Sequence, residues 1–172
     1  MARYTGPVCR LCRRASEKLF LKGERCFTTR CAVERRRGAP GPQTRRQRRP
    51  TDHGLHLREK QKARHIYGVL EAQFRKYINE AFNKPGVTGQ YLLQLLERRL
   101  DAVIYRSKLS NTIFSSRQLI NHGHVRVNGK KVNIASYQVR EEDSIEIRDK
   151  SKQLALIDIA LANKEREVPE YL

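Results

Sequence analysis

The sequence predicts an α+β chain, with a cysteine-bearing and helical N-terminal part followed by helices around a small sheet. Three observations lead to this class. Apolar residues recur at helical spacing between Phe74 and Ile104. Asn128-Gly129 stands between two short valine-containing segments, the pattern of a hairpin turn. Ser144 to Arg148 alternates polar and apolar residues, as a half-buried strand does.

In chain order, residues 1–34 contain all four cysteines and form a first segment. Residues 35–50 are dominated by Arg, Pro and Gly, which break regular structure and offer nothing to bury, so an extended basic linker is expected. Residues 51–96 are expected to be helical. A helix capped by Thr51 or Asp52 carries Leu55 to Tyr67 and stops near Gly68. A second carries Phe74, Tyr77, Ile78, Ala81 and Phe82 and ends at Lys84-Pro85-Gly86. A third begins near Thr88, with Leu92, Leu93, Leu96, Leu100, Val103 and Ile104 as its buried stripe. Arg98, Arg99 and Arg106 fall largely outside that stripe. Within residues 97–150 a short helix spans Ser116 to His122, capped by Ser115 or Ser116, with Gly123 as its left-handed last residue. The hairpin Val125–Val132 follows, then a short strand at Val139, a turn at Glu142-Asp143 and the strand Ser144–Arg148. In residues 151–172, Leu154, Ile157 and Leu161 mark a last helix before the tail. No internal repeat is present. A chain beginning near Val87 is expected to fold by itself, because its local signals agree with one another.

The 172 residues carry a formal charge of +18. A cation this strong repels itself and seeks a polyanion. Residues 1–66 hold 19 Lys or Arg against 5 Asp or Glu, a net of +14, while the remainder holds 17 against 13, a net of +4. The first third therefore reads as an RNA-contacting arm and the rest as an ordinary basic globular domain. An anionic membrane is the rival partner. No apolar run approaches the ~20 residues needed to span a bilayer, and the first residues lack the apolar core of a secretion signal. A cytosolic chain with reduced thiols is expected, with no membrane partner. Aromatic residues are 7 % and tryptophan is absent, which disfavours a binder built mainly on base stacking. Contact through phosphate and shape is expected instead.

Cys9 and Cys12 form a close pair, and Cys26 and Cys31 a second one with four residues between its members. Thiolates are soft ligands, and Zn²⁺ takes four in a tetrahedron. Residues three apart in a tight knuckle can place both sulfurs on one ion, and two such pairs close the site and leave no open position for catalysis. One structural Zn²⁺ is expected, because an arginine-rich segment of this length has little else to fold it. Unliganded buried thiols, a redox pair and an iron–sulfur cluster are the alternatives. Arg10, Arg13, Arg14, Lys18, Lys22, Arg25 and Arg30 surround the cysteines. Some of them offset the formal −2 of a zinc with four thiolates, and the rest are expected on phosphates. Arg45, Arg46, Arg48 and Arg49 of the linker, and Arg58 and Lys62 of the first long helix, join them as expected RNA contacts.

Residues 97–148 contain Glu97-Arg-Arg-Leu-Asp-Ala-Val-Ile-Tyr-Arg106, then Ser115-Ser-Arg-Gln-Leu-Ile-Asn-His-Gly-His-Val-Arg-Val-Asn-Gly-Lys-Lys-Val132, then Ser136-Tyr-Gln-Val-Arg-Glu-Glu-Asp-Ser-Ile-Glu-Ile147. This run resembles the RNA-binding module named after small-subunit ribosomal protein four. The resemblance implies two short helices on a small, strongly bent sheet, with the basic helix face and first hairpin meeting RNA. Arg98, Arg99, Arg117, Lys130 and Lys131 are then expected on one outward surface. The beginning, Arg3 to Arg14, with Leu21-Lys-Gly-Glu-Arg-Cys26 and Leu57-Arg-Glu-Lys-Gln-Lys-Ala-Arg-His-Ile-Tyr-Gly68, resembles the bacterial small-subunit ribosomal protein four family itself, in its zinc-containing form. The likeness covers nearly the whole chain. The linker departs from the family's Tyr-Pro-Pro-Gly-Gln-His-Gly character, Asn111 to Phe114 replaces an alanine-rich stretch, and the chain stops at Leu172, short of the C-terminus expected of the family. The resemblance implies a zinc-knuckle and helical N-terminal domain joined to that module. It implies a protein that binds and folds the 5′ domain of small-subunit rRNA early in assembly and contributes to decoding accuracy. Small-subunit ribosomal protein five and mRNA where it enters the subunit are the further partners implied.

No enzyme is expected. The chain has no Gly-rich phosphate loop and no Gly-x-Ser-x-Gly elbow. His53, His56, His65, His122 and His124 are not spaced with carboxylates as a catalytic or metal cluster. Another RNA-binding protein, or a fragment of an RNA-modifying enzyme carrying the same module, is the alternative; a DNA-binding zinc protein would need a recognition helix or dimer seam that the sequence does not offer.

Overall fold

In the computed structural model, which describes residues 4–36, 38–42, 49, 51–163 and 166–172, helices dominate and one small sheet lies in the C-terminal half. The chain divides into two compact units, Met1–Phe74 and Arg75–Leu172. Half of the expected linker, including Arg45, Arg46 and Arg48, lies outside the described residues.

Unit one begins with helix α1 (Val8–Ala15), a 3-10 turn at Gly23–Cys26 and helix α2 (Ala32–Arg35). Helix α3 (Asp52–Ile66) starts where its cap chemistry dictates, with the Thr51 hydroxyl accepting from the Gly54 N–H at 3.2 Å. None of its fifteen residues is buried. Gly68, with φ 58°, turns the chain toward helix α4 (Glu71–Phe82), which crosses the division between the units.

In unit two the single helix expected from Thr88 onward is broken. Helix α5 (Thr88–Glu97) ends at Arg98, and helix α6 (Leu100–Arg106) begins after Arg99, whose backbone is extended with φ −67° and ψ 135°. The reason is a pairing with residues far along the chain. Arg99 bridges Gln138, the Val139 N–H donates to the Arg98 carbonyl at 2.8 Å, and the Leu100 N–H donates to the Tyr137 carbonyl at 2.9 Å. Val139 therefore forms no strand of the sheet. The stripe itself is partly corrected: Leu96, Leu100 and Ile104 are fully buried, whereas Leu93 is exposed.

Helix α7 (Ile113–Asn121) starts earlier than the serines suggested. Thr112 caps it, accepting from the Ser115 N–H at 3.1 Å, and Ser116 is buried against Ser110 instead. Its end is as expected. Gly123 has φ 73°, its N–H donates to the Ile120 carbonyl, and the His124 N–H donates to the Leu119 carbonyl, a Schellman closure that needs the left-handed residue.

Strands β1 (Val125–Val127), β2 (Lys130–Lys131) and β3 (Ile145–Ile147) form an antiparallel sheet of order β2-β1-β3. Asn128 and Gly129 both have positive φ, 51° and 74°, the geometry of the tight hairpin turn that matches strand twist. The turn is tied to the far strand. Asn128 Nδ2 donates to Asp143 Oδ1 at 2.8 Å, and the Ser144 N–H donates to Asn128 Oδ1 at 2.9 Å. Val125, Val127 and Ile147 point to one side and join Leu100, Ile104, Ile120, Ala135 and Ile157 in the core. Ile157 belongs to helix α9 (Ala155–Ala162), which follows the short helix α8 (Asp149–Lys152). No helix of the described residues is long and apolar enough to cross a membrane.

Beneath the α5–α6 break lies a buried charge cluster. Asp101 is 1 % exposed and Arg99 3 %. Arg99 Nε and Nη2 donate to the two Asp101 oxygens at 3.0 and 2.8 Å, Arg99 Nη1 donates to the Tyr77 hydroxyl at 2.7 Å, and Arg117 Nε donates to Asp101 Oδ2 at 2.6 Å. Burial by itself pushes the Arg99 guanidinium down; the Asp101 carboxylate and Tyr77 hydroxyl more than offset it, leaving it above its ordinary value.

Two outcomes follow from this architecture. Asp101→Ala removes the buried carboxylate that two guanidiniums share and is expected to destabilise a chain of residues 75–172 by about 3–5 kcal/mol, read from urea unfolding. A chain starting at Val87, lacking Tyr77, is expected to unfold at lower urea than one starting at Arg75. Asp143 supplies a pH signature. The Arg140 N–H and the Asn128 amide hold its carboxyl below the usual carboxylate range. A depressed folded pKa contributes stability above the ordinary carboxylate pKa and loses it as pH falls through the folded value. The gap in urea midpoint between wild type and Asp143→Ala is therefore expected to be constant near neutrality and to close on acidification.

Candidate nucleic-acid interface and cysteine centre

The four cysteines converge. Cys9 and Cys12 sit one turn apart on α1, a helix rather than the tight knuckle expected for the first pair. Cys26 ends the 3-10 turn and Cys31 stands immediately before α2. All four line one cavity of about 10 Å³ together with Val8, Leu21 and Val33. That is the room of a single water-sized sphere. Cys12, Cys26 and Cys31 are buried, Cys9 is half-buried, and none forms a disulfide. The Lys22 N–H donates to Cys26 Sγ at 3.4 Å. Burial pushes the Cys12 and Cys26 thiols up, against the lowering effect of the Leu19 and Lys22 backbone N–H groups. Among the described residues, no group of three or more His, Cys, Asp or Glu is arranged to hold a metal ion. The donor chemistry is that of a soft four-sulfur site.

The cations separate into two groups. Arg10, Arg14, Lys22, Arg49 and Arg58 are exposed in unit one. Arg13 is half-buried, its Nε and Nη2 donating to the carbonyls of Gly38 and Ala39 at 3.2 Å each. Lys62 is pinned between Glu17 at 2.9 Å and Glu59 at 2.8 Å, and Lys18 is paired with Glu34. In unit two Arg98, Lys130 and Lys131 are exposed, and Arg98 Nε also donates to the Val139 carbonyl at 3.0 Å. Arg99 and Arg117 depart from the single outward surface expected of them. Arg99 is interior, and Arg117, with 14 % of its side chain exposed, is paired with Asp101. The physical reason is Asp101: a carboxylate this deeply buried requires cations, and these two satisfy it.

Arg126 is half-buried and was not singled out from sequence. It lies opposite Lys131 on one side and Glu146 on the other, on the sheet face away from Val125 and Val127. The alternation Val-Arg-Val was the signal that places it there. Lys131 packs its methylenes over Gly123, so that a Cβ at position 123 would meet Lys131 Cε at 2.2 Å. His122 and His124 have ring centroids 6.0 Å apart, and His124 Nδ1 lies 2.8 Å from the Ser151 hydroxyl. They border the same hairpin and adjoin no carboxylate partner in these contacts.

Residues 3–97 match the family model described as the ribosomal protein S4/S9 N-terminal domain, and residues 98–145 match the S4 domain. The junction of the two matches coincides with the end of α5. The small ribosomal subunit protein uS4 of Natranaerobius thermophilus is 53 % identical over 175 residues, covering 100 % of this chain and 83 % of that protein. That of Pelotomaculum thermopropionicum is 57 % identical over 153 residues, covering 89 % of this chain and 74 % of its own length. That of Thermotoga maritima is 51 % identical over 173 residues, covering 100 % and 83 %. With two domain matches in order and identity above one half to proteins that it largely spans, the chain belongs to the small ribosomal subunit protein uS4 family.

Proposed function

We propose that the chain is a structural constituent of the small ribosomal subunit that binds its rRNA, acts in the cytoplasm and is not an enzyme. The observation that carries this reading is the identity of 51 to 57 % to proteins named small ribosomal subunit protein uS4. The formal charge of +18 fits a polyanionic partner, and exposed cations occur in both units. The finer reading is a protein that binds early, folds the 5′ domain of the rRNA, contributes to decoding accuracy, and neighbours small-subunit ribosomal protein five and the incoming mRNA. It draws on family likeness.

We propose further that Cys9, Cys12, Cys26 and Cys31 hold one structural Zn²⁺. Four sulfurs around one small cavity, in a segment whose helices are short and arginine-rich, support it. Zinc closed by four thiolates supplies folding energy and no open position for chemistry. The chain's own part is to present the sulfurs from α1, the 3-10 turn and the start of α2, and to donate the Lys22 N–H to Cys26.

Elemental analysis of the metal-replete, reduced chain is expected to give one zinc per chain, and each single Cys→Ser variant substantially less. The variants are expected to lose protease resistance within the first 34 residues while residues 75–172 keep theirs; zinc well below one per chain in the wild type would sink the site. For the RNA reading, an Arg98/Lys130/Lys131 triple Ala variant is expected to remain folded. It should flatten the slope of log affinity against log salt for small-subunit rRNA by about one unit per contact removed. An unchanged slope in the folded variant would rule these cations out as phosphate contacts.

A further inference from the structure

One aromatic pair in the cysteine-bearing segment lies outside the apolar core. The rings of Phe20 and Phe27 are stacked, with centroids 5.0 Å apart and planes 30° from parallel. Phe27 is half-buried beneath, and Phe20 is 38 % exposed. The cause is local. Leu19 and Leu21 on either side of Phe20 are both buried, and the chain turns between them with Phe20 at φ 51°. For a bulky side chain this left-handed backbone is disfavoured, so the two inward leucines and the turn hold Phe20 out against its preference. The result is an outward aromatic ring already backed by a second one. Exposed cations flank it closely in sequence: Lys22 lies two residues after Phe20, and Arg25 two residues before Phe27.

Flat aromatic faces beside cations are what an unpaired base requires, because the ring meets its π-face while the cations meet its phosphates. An aliphatic side chain would cover Phe27 equally well and would offer no such face. We propose that Phe20 is a stacking platform for an unpaired nucleobase of the bound RNA, with Lys22 and Arg25 serving the adjoining phosphates. The inference rests on the rRNA-binding reading and adds to it a chemical class of contact, at one place, in a chain otherwise poor in aromatics.

The test uses the full chain, zinc-replete and reduced, with bacterial small-subunit rRNA as the probe. Phe20→Leu keeps an apolar cover over Phe27 and removes the π-face; Phe20→Trp keeps and enlarges the face. Filter binding is expected to show the Leu variant weakened on the order of 5- to 100-fold and the Trp variant at least as tight as wild type. Irradiation of the wild-type complex at short wavelength is expected to leave a nucleotide adduct on the peptide containing Phe20. Wild-type affinity in the Leu variant overturns the platform, as does weakening by Leu and Trp alike, which marks a packing role. Failure of the wild type itself to bind rRNA overturns the functional reading, and the platform with it.

Discussion

Asp101 is a carboxylate almost without water contact, and the C-terminal unit is arranged to keep it satisfied. It lies in the first turn of α6, where the helix dipole favours negative charge. Two arginines from different places in the chain converge on it, and Tyr77 of α4 completes the hydrogen bonding of the first. An ion this buried is tolerable only when fully paired, so the kink between α5 and α6 and the packing of α7 against α6 are not independent choices. The extended backbone at Arg99 that turns its guanidinium inward also opens Arg98 and Leu100 to pair with Val139 and Tyr137. One polar constraint thus couples a helix break, a long-range bridge and the seating of α7.

Where structure is governed by neighbouring residues, the sequence was readable. Thr51 capped its helix, Gly123 closed α7, and Asn128-Gly129 made the tight turn, because each depends on a side chain or φ angle within a few positions. The four cysteines were equally legible from spacing, and they do meet at one cavity. The break at Arg98-Arg99 was not, since the apolar period runs through it undisturbed and its cause lies at residues 135–139. The inward fate of Arg99 follows from the same distance: lying outside the apolar stripe, it reads as outward until the pairing that rotates it is known. Ser115 and Ser116 were plausible caps, yet Thr112 won because Ser116 is drawn into the buried bond with Ser110.

Counting cations therefore overstates contacts with a polyanion. Arg99 and Arg117 serve Asp101, Lys62 serves two glutamates, Lys18 serves Glu34, and Arg13 serves two backbone carbonyls. These groups shape the surface that the exposed cations occupy. Long-range attraction still counts all of them, because it follows net charge; short-range register depends on those left facing outward.

Helix α3 carries no buried residue over its whole length. A helix of about this size draws little stability from propensity alone and in most proteins depends on an apolar face packed against a neighbour. Here the hydroxyl of Thr51, the pairing of Lys62 with Glu17 and the pairing of Lys60 and Arg64 with Glu71 help to anchor it. Its order in the free chain is then sensitive to heat, and any partner that seats on it must bear the entropy of setting it straight. Association through this helix would weaken with temperature more steeply than contacts that require no such ordering.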